Sequence, residues 1–168
     1  MKVDKIYITT DTHFSHKKLI EWGRPKDFEE RLWKGFEVIK ENDLLIHLGD
    51  FCIGNDELNH NLFMERVKGK KIFVRGNHDN KSNTWLYNHG WDFVCREFKD
   101  KFFGLSFTFT HIPIPKNETD YNIHGHTHGN MHRNIDVRDY YDKSFHIEIA
   151  PEIDNYQPTL LNQKIITK

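Results

Sequence analysis

The sequence predicts an α/β domain on three observations. Apolar runs alternate with amphipathic stretches through the first half, three of those runs end on an acid or a polar turn, and the second half is dense in short strand patterns. Val3 to Thr10 alternates and then runs apolar, which predicts a buried strand delivering Asp11 and His13 at its C-terminal edge. Ser15 is expected to cap a short helix from His16 to Trp22, broken by Gly23 and Pro25. Asp27 can cap a second helix reaching about Lys40, with Leu32, Phe36 and Ile39 as its buried stripe.

Asp43 to Leu48 reads as the next strand and ends at Gly49-Asp50. A helix around Glu57 to Val67, with Leu58, Leu62 and Val67 inward, leads to a strand from Lys71 to Arg75 that ends at Gly76-Asn77-His78-Asp79. Alternation of this kind builds βαβ units, and open parallel sheets bind ligands beyond the carboxyl ends of their strands.

After a helix from Ser82 to His89, strands are expected at Trp91 to Phe98, Phe102 to Leu105, Ser106 to Thr110 and Tyr121 to His124, as antiparallel hairpins of a second sheet. The loop from Ile112 to Asp120 carries two prolines that stop pairing. Further strands are expected near Asn134 to Val137 and Phe145 to Ile149, and Pro158 to Ile166 fits a helix or a strand. With no repeat and no linker, residues 1–168 read as one domain, long enough to bury about two-thirds of the unfolded surface.

Lys+Arg 24 against Asp+Glu 25 leaves a net charge of -1, which gives no overall basic field to collect nucleic acid or acidic membrane. No apolar run approaches the ~18 residues of a membrane span, and Met1 to Lys5 leads into a strand pattern rather than a signal-peptide core, so a cytoplasmic location is expected. Cys52 and Cys95 form no CxxC pair, which disfavours structural zinc, although two cysteines could form one bridge.

The chemistry concentrates in Asp11-Thr12-His13, Gly49-Asp50, Gly76-Asn77-His78-Asp79, a lone His111 and Gly125-His126-Thr127-His128. Carboxylate, imidazole and amide donors suit Mn²⁺ first, with Fe, Zn²⁺ or Ni²⁺ as alternatives. Two clusters of such donors are the raw material of a two-metal hydrolase.

This ordered set, D-x-H, G-D, G-N-H-D, an isolated H and G-H-x-H over residues 11 to 128, resembles the calcineurin-like metallophosphoesterases, and most closely their small, minimal members of bacterial or viral type. The resemblance implies a four-layer αββα sandwich of two packed mixed sheets flanked by helices. It also implies that Asp11, His13 and His128 hold one metal, that Asn77, His111 and His126 hold the other, and that Asp50 bridges them. A metal-bridging hydroxide would attack phosphorus, each cation lowering the pKa of bound water toward roughly 7. His78 is implied as the general acid to the leaving oxygen, and Asp79 is expected to orient its imidazole. Phe51-Cys52-Ile53 after Gly49-Asp50 lacks the acid and arginine of the Ser/Thr protein-phosphatase branch.

His16, Arg24 and Arg133 could reach a substrate phosphate, or serve as ordinary surface and turn residues. His47 and His124 are expected as buried or structural neighbours, Cys52 as a core filler, and His60, His89, His132 and His146 as surface or packing residues. Trp22, Trp33, Trp85 and Trp91 are assigned to the core or its edges, with base stacking as the alternative. The expected substrate is a small phosphodiester or phosphomonoester such as a nucleotide. One rival is a nuclease using Lys68, Lys70, Lys71, Lys81 and Arg133 as a basic track; another is a catalytically silent protein-binding scaffold.

Overall fold

The computed structural model describes residues 3–130 and 135–166. Two mixed β-sheets pack face to face. The first contains β1 (Ile6–Thr9), β2 (Leu44–His47), β3 (Lys70–Val74), β4 (Phe93–Cys95) and β9 (Thr159–Leu160), in the order β4-β3-β2-β1-β9. Strands β1 to β4 run parallel, and β9 lies antiparallel on β1. The second contains β5 (Glu97–Phe102), β6 (Leu105–Thr110), β7 (Tyr121–His124) and β8 (His146–Glu148), side by side in that order.

Side-chain alternation along the parallel strands decides the layering. Ile8 of β1, Ile46 of β2 and Val74 of β3 face the second sheet, where they meet Phe107, Phe109, Ile123 and Ile147. Their neighbours Tyr7, Leu45 and Phe73 face the other way. There they meet Phe28, Leu32 and Phe36 of α2 (Phe28–Phe36), Phe63 of α3 (Asp56–Arg66) and Leu86 of α4 (Asn83–Asn88). A parallel sheet covered on both faces in this way has no solvated side.

The outer face of the second sheet is polar, and it is buried over β6, β7 and β8. Asn122 donates to Thr108 O at 3.0 Å and to Thr110 Oγ1 at 2.9 Å, and Tyr141 stacks on His146 with ring centroids 4.6 Å apart. The segment after α5 (Ile135–Arg138) supplies that cover. The remaining helices are α1 (Lys18–Glu21) and α6 (Leu161–Ile166). No helix among the described residues is long and apolar enough to cross a membrane.

Several expectations need correction. The run from Trp91 to Phe98 is two strands: β4 joins β3 in the first sheet, and after Arg96 the chain enters the second sheet as β5. Residues Phe103 and Gly104 are the tip of the β5–β6 hairpin, with φ of 55° and 79°, rather than part of a strand. Beyond that hairpin the second sheet is parallel, because the ten residues from His111 to Asp120 carry the chain back before β7 starts. Ile135–Arg138 is a helical turn instead of a strand, and Asn134 lies outside the described residues. Pro158 to Ile166 holds both elements proposed for it, β9 and then α6.

Helix faces also shift. In α3, Leu58 is 57% exposed while Asn59, His60 and Phe63 point inward. Ser15 caps nothing: with φ of 66° it donates its N–H to Glu29 Oε1 at 2.9 Å. Asp27 is the N-cap residue of α2, but its side chain accepts from Arg31 Nε at 3.0 Å rather than from a helix N–H, and the helix ends at Phe36, with Ile39 still buried beyond it.

Candidate metal centre

Each candidate ligand stands just past the carboxyl end of a strand: Asp11 and His13 after β1, Asp50 after β2, Asn77 after β3, His111 after β6, and His126 and His128 after β7. The backbone there is unusual. Asp11, His13, Asp50, His126 and His128 have φ of 48°, 47°, 54°, 70° and 49°. Asp and His tolerate this left-handed region better than most residues, and strain of about 1–3 kcal/mol per residue persists only where the surroundings over-determine it. Two motif glycines allow the close approach. A Cβ on Gly76 would collide with Asp50 Oδ1, and one on Gly125 with Thr10 Oγ1.

These turns bring two donor clusters together. Asp11 Oδ1 lies 3.7 Å from His13 Nε2 and 3.3 Å from His128 Nε2. In the second cluster, His111 Nε2 lies 3.3 Å from Asp50 Oδ2, 3.0 Å from Asn77 Oδ1 and 3.2 Å from His126 Nδ1. One atom touches both groups: Asp50 Oδ2 is also 3.6 Å from His13 Nε2. The other Asp50 oxygen accepts the His78 N–H at 2.9 Å, which fixes the orientation of the carboxylate.

The electrostatics ask for cations. Asp11 Oδ1 is buried without a hydrogen-bond partner, an arrangement that is costly unless positive charge arrives. Burial works against the Asp11 charge, yet His111, His13 and His128 outweigh it and hold the carboxyl well below its usual range. Burial likewise opposes charge on His111, and the carboxylates of Asp11 and Asp50 overcome it, lifting the imidazole to about 9. Oxygen and imidazole donors converging on an unsatisfied carboxylate fit divalent transition metals.

A supporting set of hydrogen bonds holds these donors in place. Thr10 Oγ1 and the His126 N–H both donate to Asp11 Oδ2, at 2.7 and 2.9 Å, which leaves Oδ1 for the centre. His111 Nδ1 donates to Leu48 O at 2.7 Å, which turns its Nε2 toward the centre. His128 Nδ1 pairs with Glu152 Oε1 at 3.2 Å. Glu148 accepts from Thr127 Oγ1 and from the Gly129 N–H. Sequence reasoning missed Glu152, although an acid just past the strand expected over Phe145 to Ile149 repeats the rule that found Asp50.

Asp79 differs from expectation. Its carboxylate accepts three backbone N–H groups, those of Asp50 and Gly76 at Oδ2 and of Phe51 at Oδ1, rather than orienting the His78 ring. Burial pushes its pKa up, with Asp50 adding to the effect against those hydrogen bonds. His78 itself is half exposed, its Nε2 3.9 Å from Asp50 Oδ2 and its ring 5.6 Å from that of His13.

The centre opens into a cleft of about 730 Å³, lined by His13, Asp50, Asn77, His78, His126 and His128 together with His16, Lys18, Leu19, Trp22 and Ile53. Arg24, weighed as a phosphate contact or a turn residue, also lines this cleft, with its guanidinium paired within the protein. It donates to Glu152 Oε1 at 2.7 Å, Thr12 O at 3.1 Å and Asp11 O at 2.8 Å, because a buried cation must be paired. His16 lies on the cleft wall with its ring 5.5 Å from His13, outside both clusters. Arg133 and His132 lie outside the described residues.

His47 is buried, its Nδ1 accepting the Gly49 N–H at 3.1 Å and its Nε2 3.0 Å from Thr12 Oγ1. His124 donates from Nδ1 to Gly125 O at 2.9 Å. Trp91 is core, and Trp33 and Trp85 pack against the core, but Trp22 is 69% exposed.

The chain is similar to known proteins over most of its length. Residues 4–157 match the family described as calcineurin-like phosphoesterase. An uncharacterized protein of Methanocaldococcus jannaschii is 28% identical over 173 residues, covering 96% of this chain and 90% of its own. The crystal structure of a protein of unknown function from Aquifex aeolicus superposes with a TM-score of 0.77 at 25% identity, covering 98% of this chain and 99% of that one. The nuclease MPE of Pseudomonas putida shares the fold at a TM-score of 0.51 and 20% identity, over 73% of this chain and 61% of its own.

Proposed function

Because the chain belongs to the calcineurin-like phosphoesterase family of metal-dependent enzymes, we propose that it hydrolyses a small phosphodiester or phosphomonoester, such as a nucleotide, with two divalent cations. The observation that carries this reading is the position of Asp50 Oδ2, 3.6 Å from His13 Nε2 and 3.3 Å from His111 Nε2, between two donor groups. Asp11, His13 and His128 would hold one cation, Asn77, His111 and His126 the other, and Asp50 both. When bound, such a pair supplies Lewis acidity toward a phosphate oxygen and activates water. Mn²⁺ is the first choice, with Fe, Zn²⁺ or Ni²⁺ compatible with the same donors.

The protein's own groups have separable tasks. The buried carboxylates of Asp11 and Asp50 fix the charge of the centre, and the left-handed turns aim the imidazoles before substrate arrives. His78, on the cleft wall and beside Asp50, is assigned to donate a proton to the leaving oxygen. Asp79 acts on the backbone that carries Asp50. His16 stands where an imidazole would meet a substrate oxygen entering past His13.

A small substrate is favoured over a long polyanion because the lysines of the suggested basic track have other partners. Lys68 pairs with Glu41, Lys70 with Asp92 and Lys81 with Asp56, at 3.3, 2.8 and 3.7 Å. Lys71 is buried and donates to Gly69 O. Both cysteines are free thiols, which supports a reducing compartment such as the cytoplasm. Hydrolysis of bis-p-nitrophenyl phosphate with Mn²⁺ that disappears in Asp50→Asn supports the assignment. No hydrolysis with Mn²⁺, Ni²⁺, Zn²⁺ or Mg²⁺ overturns it.

A further inference from the structure

We propose that Trp22 is a stacking platform for a planar base carried by the substrate, so that the cleft selects nucleoside phosphates over phosphorylated sugars. This deepens the phosphoesterase reading and rests on it. Trp22 stands apart from the other tryptophans. Trp91 is 2% exposed and Trp33 and Trp85 pack against the same core, whereas the Trp22 indole is 69% exposed on the wall of the cleft that holds the metal donors. A large flat apolar ring left in water beside a charged centre gains by covering its face, and a nucleobase offers a matching π-surface.

The geometry joins that platform to the chemistry. Trp22 and His16 meet edge to face, with centroids 5.6 Å apart and an interplanar angle of 84°, and His16 in turn lies 5.5 Å from His13. Two ring contacts therefore separate the indole from the metal donor His13. His16 Nδ1 is buried with no hydrogen-bond partner, a polar atom on this wall that the protein itself leaves unsatisfied. Leu19 and Ile53 line the same cleft and add apolar surface, and Lys18 adds a positive charge.

The backbone that carries the platform is also tied to the centre. The Trp22 N–H bonds Leu19 O at 3.2 Å and the Arg24 N–H bonds the same carbonyl at 2.9 Å. The Arg24 guanidinium then grips Asp11 O and Thr12 O, so the turn bearing the indole and the loop bearing Asp11 and His13 are tied together.

The test compares two esters with the same leaving group, the p-nitrophenyl ester of thymidine 5′-monophosphate and methyl p-nitrophenyl phosphate, in wild type, Trp22→Ala and Trp22→Phe with Mn²⁺. The expected result is that the ratio of kcat/KM for the two esters falls about tenfold in Trp22→Ala and is kept in Trp22→Phe. An unchanged ratio in Trp22→Ala overturns the proposal. A thymidine oligomer run alongside separates the sources of a base, and a loss confined to the oligomer overturns the small-substrate form.

A second measurement does not need turnover. The Trp22 fluorescence, taken as wild type minus Trp22→Phe, should be quenched by adenosine monophosphate and not by ribose 5-phosphate, and equal quenching overturns base recognition. If wild type hydrolyses neither ester, the phosphoesterase reading fails, while the fluorescence still decides whether Trp22 binds a base.

Discussion

Asp79 Oδ2 accepts the backbone N–H of Asp50 at 2.8 Å and that of Gly76 at 2.7 Å, so one carboxylate locks the turns after β2 and β3 to each other. Asp79→Asn replaces one acceptor oxygen with an amide N–H that faces a backbone donor. The expected outcome is a loss of about 1–3 kcal/mol in urea-unfolding stability. Mn²⁺ affinity by calorimetry should weaken by about 10- to 100-fold, because Asp50 loses its alignment. Full retention of both quantities would contradict the role.

His78→Ala should separate substrates by leaving group. A proton donor matters most where the departing oxygen is basic, so alkyl phosphoesters should slow by about 10²–10⁴-fold and p-nitrophenyl esters by much less. Equal losses on both, measured as kcat, would remove His78 from that role.

Glu152 supports two neighbours, His128 Nδ1 at 3.2 Å and Arg24 Nε at 2.7 Å. Glu152→Gln keeps an acceptor but removes the charge, and Mn²⁺ affinity is expected to fall about tenfold with little change in fold. Glu152→Leu also strands the buried Arg24 guanidinium and should cost about 3 kcal/mol in chemical unfolding. A Leu variant as stable as the Gln variant would show that Arg24 finds another partner.

His60 gives the pH dependence its clearest handle. It is buried, accepts the Trp91 Nε1–H at 2.9 Å, and burial drives its pKa from 6.5 to about 3, with His89 and Lys81 adding to the fall. The native state refuses a proton that the unfolded chain accepts, so its contribution is intact above pH 6.5 and is lost as pH falls toward about 3. In metal-free protein, His60→Gln should reduce the slope of unfolding free energy against pH by about 1.4 kcal/mol per unit inside that window. Parallel curves for wild type and variant would refute it.

Gly125→Ala drives a methyl group into Thr10 Oγ1, the hydroxyl that holds Asp11. Thermal stability should drop and Mn²⁺ binding should weaken. A variant with unaltered Tm and affinity would show that the loop yields without disturbing Asp11.

Six of the seven proposed donors were legible because each sits in a short motif at a strand end, where local sequence sets local geometry, whereas the lone His111 was picked out only by its place in the ordered set. What the fold alone decides was not legible. The apolar pattern of Trp91 to Phe98 is the same whether its strands join one sheet or two, and β4 and β5 in fact divide between them. Leu58 was expected inside α3, but His60 and Phe63 take the inner face, and only tertiary packing against Phe51 and Trp91 selects them. Glu152 lies far along the chain from Arg24 and close to it in space, a relation that periodicity does not encode. Asp79 was read as a partner of its neighbour His78, whereas its bonds run to the backbone of another strand end.

The donor clusters straddle the sandwich. Asp11 and His13 come from the first sheet and His128 from the second, and Asp50 likewise faces His111 and His126 across the seam. Cations bound as proposed would each be gripped from both sheets and would work as rivets: chelation should loosen the two leaves against one another, and refilling should draw them shut.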